Sequence, residues 1–277
     1  VYSTAVKIQT LKKLLAVQSH SYHEQPMVDW LVHYLHHYLS GVTVKVDKAR
    51  NIYVSKGNAQ YSPCVAAHID TVHAPREVNI VQEGTRLVGY AKDKRVGIGA
   101  DDKTGIFVCL SLLEKFDNIR AVFFATEELG TVGAKKADPA FFEGIAYLIE
   151  YDCPSRNMLS YTSGGERLFA NDGEFIRKAN PVLAKHGTNL WQKHPYSDVM
   201  TVRRRFPISC LNLSSGYYNW HQQNEFASLP DVERAIEMGV ELVKTLDHVR
   251  YECPVGLKDD APPLVEVGAL HVPEAVA

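Results

Sequence analysis

Three short, mostly apolar runs, Cys64–Ile69, Ala121–Ala125 and Ala146–Tyr151, constrain the fold of this chain more than any other feature of its sequence. Runs of that length with so little polar alternation read as strands buried on both faces. Around them lie stretches with helical spacing: Thr104–Phe116, Ala134–Phe142, Asp172–Ala184, Ser197–Arg203 and, after Pro230, Asp231 to about Leu246. A further strand is expected at Ile208–Leu213. Strands alternating with helices predict an α/β fold of three layers, a central, mostly parallel mixed sheet with helices on both faces. Upstream, helices are expected over Ser3–Val17, with Val6, Leu11, Leu14 and Leu15 on one face, and over Glu24–Leu39, stopped by Gly41. Strands follow at Val42–Val46 and Asn51–Val54, and Val78–Val81 pairs with Arg86–Tyr90 in a hairpin closed by Glu83-Gly84. No repeat or linker divides the chain, so residues 1–277 are expected to form a single domain, with an extended, proline-rich tail over about 253–277.

Composition removes several classes of function. A chain of 277 residues that is 45% hydrophobic and 22% charged, with a net charge of -2, reads as an ordinary globular protein with no nucleic-acid or membrane partner. The Arg203-Arg204-Arg205 run reads as the solvated end of an element. No apolar stretch approaches the roughly 20 residues that cross a bilayer, and the amphipathic start, with Lys7, Lys12 and Lys13, is unlike a signal peptide. The 5 cysteines are widely spaced with no Cys-x-x-Cys pair, which predicts reduced thiols, a cytoplasmic location and no thiolate metal site.

Histidines and carboxylates gather where the strands end. His68-Ile69-Asp70 closes the first run, Gly99-Ala100-Asp101-Asp102-Lys103 opens the next helix, and Glu127-Glu128 follows Ala121–Ala125. Asp152 follows Ala146–Tyr151, and His221 comes shortly after Ile208–Leu213. In open α/β sheets the ligand crevice lies at the carboxyl ends of the strands. Imidazole and carboxylate without thiolate suit zinc, with manganese or cobalt tolerated. Two ions about 3.5–4 Å apart need a bridging carboxylate and terminal ligands on each. The set meets that demand with Asp101 as bridge, His68 and Asp152 on one ion, and Glu128 and His221 on the other. Asp70 is then placed to hold the His68 ring through its other nitrogen, and Glu127 stands as the general base.

These motifs resemble the zinc exopeptidase superfamily that includes peptidase T, carboxypeptidase G, the aminoacylases, the tetrahedral aminopeptidases and the secreted bacterial leucine aminopeptidases. The likeness runs from the opening helices through Asn51-Ile52-Tyr53-Val54 and His68-Ile69-Asp70-Thr71-Val72 to His221, Asn224-Glu225-Phe226 and the long terminal helix. It implies that Asp101 bridges the metals, that Glu127 is the base and Glu128 a ligand, and that the Asp101-Asp102 peptide is cis. Too few positions separate His68 from Asp101, or Asp152 from His221, for an inserted domain. The catalytic domain is therefore expected to lack a lid or dimerisation insertion, as in the secreted leucine aminopeptidases.

Other residues invite chemistry. His33, His36 and His37 have helical spacing but are read as decoration of an exposed face, and His73 as a loop histidine. Tyr217 and Tyr218 are candidates for donating to an oxyanion. Cys153 is read as packing, and Ser214-Ser215-Gly216 lacks a nucleophile elbow. The leading reading is a co-catalytic di-zinc exopeptidase of short peptides, aminopeptidase ahead of dipeptidase or carboxypeptidase on the strength of the lidless architecture. An N-acyl amino acid deacylase shares the metal chemistry and would take an acylated amino acid. A glutaminyl cyclase-like transferase uses a single zinc, against the full ligand set present here, and a non-catalytic module would have lost ligands or base. The sequence implies no particular oligomeric state.

Overall fold

A computed structural model describes residues 4–163, 165–193 and 197–258. Helices α1 (Thr4–Ala16) and α2 (Gln25–Tyr38) lead into strands β1 (Val42–Val46), β2 (Ile52–Lys56) and β3 (Ser62–His68). A small meander follows: β4 (Asn79–Glu83), β5 (Arg86–Ala91) and β6 (Lys94–Val96). Helix α3 (Ala100–Lys115) then leads to β7 (Ile119–Phe124), α4 (Val132–Lys136), α5 (Pro139–Phe142) and β8 (Ile145–Cys153). Next come β9 (Met158–Ser163), β10 (Glu166–Arg167), α6 (Glu174–Lys185), β11 (Leu190–Lys193) and α7 (Asp198–Arg205). The described chain closes with β12 (Cys210–Ser214), β13 (Tyr217–Tyr218), β14 (Phe226–Ser228) and α8 (Leu229–Leu246).

The main sheet runs β1-β2-β7-β3-β8-β12-β9-β10, with β11 beside β9. Its four central strands, β7, β3, β8 and β12, are mutually parallel, and the antiparallel pairs lie toward the edges. β3 and β8 are buried along their whole length, as sequences so uniformly apolar require. Alternate side chains of β8 identify the two covering layers. Tyr147 packs on Phe175 of α6, and the Tyr151 ring reaches Gly239 of α8. On the opposite face Glu150 meets the start of α7. A second sheet, β13-β14-β5-β4 with β6 on β5, places the β13–β14 hairpin against the meander. No helix among the described residues is long and apolar enough to cross a membrane.

The structure departs from the sequence reading in physically explicable ways. The single helix expected over 134–142 is two short ones, because Pro139 lacks an N–H and Asp138 caps the second by accepting from Ala140 N. The Arg203–Arg205 run does end a helix, and Arg204 is exposed, but its neighbours are not solvated. Arg203 is 1% exposed and donates to Cys253 Sγ and the Pro254 carbonyl, while Arg205 donates to the Ala134 and Ala137 carbonyls. These cations sit at the C-terminus of α7, where the helix dipole favours them. The sequence pattern carries no signal for β9, β10 and β11. They are short, carry polar residues and draw their definition from edge pairing rather than from a hydrophobic pattern. Of the expected tail, the part to Lys258 is tied to the body by bridges from Glu252 to Ile208 and from Lys258 to Glu166. Residues 259–277, and the side chain of Val6, lie outside what the structure describes.

Candidate metal centre

β3, β7 and β8 end side by side. Their register sets His68 against Phe124 and Ala66 against Glu150, so His68, Asp152 and the turn after β7 meet at one edge. That turn passes through Thr126 at φ 57 before presenting Glu127 and Glu128. Asp101 and Asp102 have non-helical dihedrals inside the first turn of α3, and the peptide between them is cis. Regular helix therefore begins near Lys103, close to the start the spacing predicts. His221 is carried by the loop that joins β13 to β14.

Asp101 lies between the two imidazoles. Its Oδ1 is 3.1 Å from His68 Nε2 and its Oδ2 is 3.4 Å from His221 Nε2. His68 Nε2 is also 3.5 Å from Asp152 Oδ1, and His221 Nε2 is 3.0 Å from Glu128 Oε1. The ligand-type atoms of His68, Asp101 and Glu128 fall within 4.8 Å of one another, as do those of His68, Asp102 and Asp152. Asp102 is already engaged, accepting from the His68 and Gly105 amides. It is therefore better suited to bracing the β3 end than to ligation.

Asp70 acts through more of its atoms than its place in His-x-Asp suggests. Its backbone carbonyl is 3.0 Å from His68 Nδ1, nearer than its carboxylate at 3.5 Å. The carboxylate accepts from Glu127 N at 2.8 Å, Glu128 N at 3.3 Å and Ser21 Oγ at 2.7 Å. One buried aspartate thus orients the imidazole and holds the backbone of the Glu-Glu turn.

The electrostatics follow from crowding. Burial opposes charge on Asp101, but hydrogen bonds with His221 and His68 outweigh it and hold the carboxyl below the usual carboxylate range. Burial, then the carboxylates of Glu128, Asp101 and Asp70 against the opposing His68, pushes Glu127 up to about 8. Hydrogen bonding to Asp101 and then Glu128 raises His221 to about 10. A site with more buried carboxylates than cations to offset them, all oxygen and imidazole donors without thiolate, fits divalent metal ions. The donors line a cleft of about 550 Å³ together with Tyr217, Met158 and Trp220. A cleft of about 500 Å³ between α1 and α8 is lined by Leu11, Ile236 and Val240, and none of the metal-type donors above reaches it.

Of the remaining candidates, Tyr217 lines the cleft, whereas the Tyr218 hydroxyl donates to Asp231 Oδ2 at 2.8 Å. Cys153 is buried, and burial raises its thiol well above the ordinary range. His33 and His37 stack on each other along the exposed face of α2. Two buried acids escaped the sequence reading. Glu150 accepts from Ser197 Oγ and Val199 N on the α7 face of β8. Asp198 is 0% exposed, and its oxygens have no hydrogen-bond partner among the described residues. Burial raises its carboxyl well above the usual range, with the Glu127 charge next in effect. The signal available was Glu150 itself, an acid two residues before Asp152 in an otherwise apolar strand.

No protein-family model matches the chain, and no curated protein sequence matches it. Solved structures do. Aminopeptidase PepT from Bacillus cereus aligns over 88% of this chain and 99% of its own at a TM-score of 0.73 and 14% identity. The chain has the fold of these peptidases. A tripeptidase from Staphylococcus aureus aligns over 87% of this chain and 97% of its own, at a TM-score of 0.66 and 13% identity. An aminopeptidase from the archaeon Desulfurococcus kamchatkensis covers 88% and 95%, at 0.66 and 12%. At these identities the likeness concerns backbone architecture, and the chemistry rests on the residues above.

Proposed function

We propose that this chain is a metal-dependent exopeptidase that trims the amino terminus of short peptides, with His68, Asp101, Glu128, Asp152 and His221 holding two zinc ions. The observation that carries the reading is Asp101, whose two carboxylate oxygens each face a different imidazole, with a further carboxylate beside each. Bound there, the ions would polarise the scissile carbonyl and acidify the attacking water. Glu127, as the carboxylate, takes the proton of that water and returns it to the departing amine. Asp70 fixes the direction from which Glu127 works, because it grips the Glu127 amide. The Tyr217 ring closes one wall of the cleft. Among the described residues no inserted domain separates His68 from Asp101 or Asp152 from His221, and that lidless arrangement supports the aminopeptidase reading over dipeptidase or carboxypeptidase. Five free, buried cysteines suit a reducing, cytoplasmic setting.

The test is digestion of a peptide library by zinc-loaded protein, read by mass spectrometry, alongside N-acetylated amino acids. Sequential loss of amino-terminal residues, abolished by chelator and restored by zinc, is the expected outcome. Release from the carboxyl terminus, or turnover of acylated amino acids alone, contradicts it.

A further inference from the structure

We propose that Glu225 is a positioning residue that locks the Asp101 loop to the His221 loop and thereby sets the affinity of the metal site before any metal binds. The inference rests on the metal reading above. Glu225 is 0% exposed and lies in the same β13–β14 loop as His221. Its Oε2 accepts from Ile98 N at 2.8 Å and Gly99 N at 2.7 Å, and lies 2.9 Å from His73 Nε2. Its Oε1 accepts from the amide of Asp101 itself at 3.2 Å. A single carboxylate therefore satisfies three amides of one loop, 124 to 127 positions away in sequence, in the manner of an anion held in a backbone nest.

The loop is shaped to receive it. Gly99 has φ 61, and a Cβ at Gly97 would lie 2.1 Å from the His73 ring, so both positions require glycine for this approach. From the other side the Lys103 ammonium donates to the Ile98 carbonyl at 3.1 Å and to Leu15 and Val17 carbonyls at 3.1 and 2.7 Å. The amides of the loop are thus gripped by an anion and a carbonyl by a cation.

The His221 end needs an anchor of its own. Asn219 and His221 hold φ 54 and 63, left-handed values that cost a non-glycine residue on the order of 1 kcal/mol or more each. Within the loop, Gln222 N donates to the Asn219 carbonyl at 3.2 Å and Glu225 N to the Gln222 carbonyl at 3.3 Å. Internal turns of this kind do not fix the loop relative to Asp101. The Glu225 carboxylate does, and it sits four residues beyond the imidazole that faces Asp101 Oδ2. Without it, His221 and Asp101 would have to be brought together at the expense of metal-binding energy.

The experiment compares the full chain with Glu225→Gln, which keeps size but loses the charge and turns one acceptor into a donor facing amide N–H groups. Zinc affinity is measured by chelator competition, and exchange of the Ile98 and Gly99 amides is followed in the zinc-free protein. Expected are a loss of about 10- to 100-fold in affinity for the zinc served by His221 and faster exchange of those two amides. A folded Glu225→Gln protein that binds zinc as the parent does overturns the proposal. Should that variant fail to fold, His73→Ala removes one of the four contacts and leaves the carboxylate in place. It should lower the same affinity by roughly 3- to 10-fold, a partial form of the same effect. Unchanged affinity in His73→Ala then overturns the proposal. A parent protein that binds no zinc at all removes the metal reading itself, a result distinct from both.

Discussion

The two halves of the candidate centre are built differently. His68 and Asp152 stand on neighbouring parallel strands in the middle of the sheet, and the His68 side chain is 2% exposed. Glu128 and His221 stand on loops, and the His221 side chain is 43% exposed. The first half inherits its geometry from strand register, which cannot slip without moving the core. The second depends on polar clamps: Asp70 on the Glu127–Glu128 amides, and Glu225 on the loop that presents Asp101. The account therefore expects a rigid, tight site beside a more adjustable one, with Asp101 shared between them.

Histidine deletions give the largest expected contrast. His68→Ala leaves Asp152 without its imidazole partner and Asp101 with His221 alone. It should abolish zinc binding at both positions and activity with it, and destabilise the metal-free protein by about 3–5 kcal/mol. His221→Ala should lose one zinc, keep the other, and destabilise the metal-free protein by less than His68→Ala does, because its ion pairs with Asp101 and Glu128 are made by a side chain 43% exposed to solvent. Zinc content by elemental analysis and urea denaturation check both. Equal behaviour of the two variants would dissolve the distinction between sheet-borne and loop-borne halves.

Next in size is the separation of base from ligand within one turn. Glu127→Gln should lower kcat by about 10²- to 10⁴-fold while both zinc ions and substrate affinity persist. Glu128→Gln should lose zinc first and activity as a consequence. Reversal of those phenotypes would mean that the two glutamates have been assigned the wrong way round. A smaller effect is expected of Asp70→Asn, about 10- to 100-fold in zinc affinity or kcat, because it removes the charge that accepts from the Glu127 and Glu128 amides and lies 3.5 Å from His68 Nδ1, while the backbone carbonyl keeps its contact with the ring. At the foot of the scale, His33→Ala on the exposed face of α2 should leave zinc content and kcat unchanged and stability within about 0.5 kcal/mol.

Much of this was legible in the sequence because chemistry and fold share a signal. An apolar strand ending in His-x-Asp or Glu-Glu announces both the strand and the group at its carboxyl end, so β3, β7, β8 and the groups they deliver could be read together. Pairing at the sheet edge left no such trace. β9 and β11 are defined by neighbours far along the chain, not by their own periodicity. Isolated charges were read by their average behaviour. Arg203, expected at a solvated end, is buried against Cys253, and nothing in the local sequence marks Asp198 as fully buried. The clamping carboxylates fall between these cases. Asp70 and Glu225 could be picked out as motif residues, but their partners are backbone amides, and amides are present at every position of a sequence except proline.

The most direct test of the central claim is a zinc titration of the metal-stripped protein by chelator competition, run beside His221→Ala. The account predicts two zinc ions per chain taken up in two resolved steps, with the weaker step missing from His221→Ala and the tighter one preserved. Uptake of a single zinc by the parent, or two undiminished steps in His221→Ala, would contradict it.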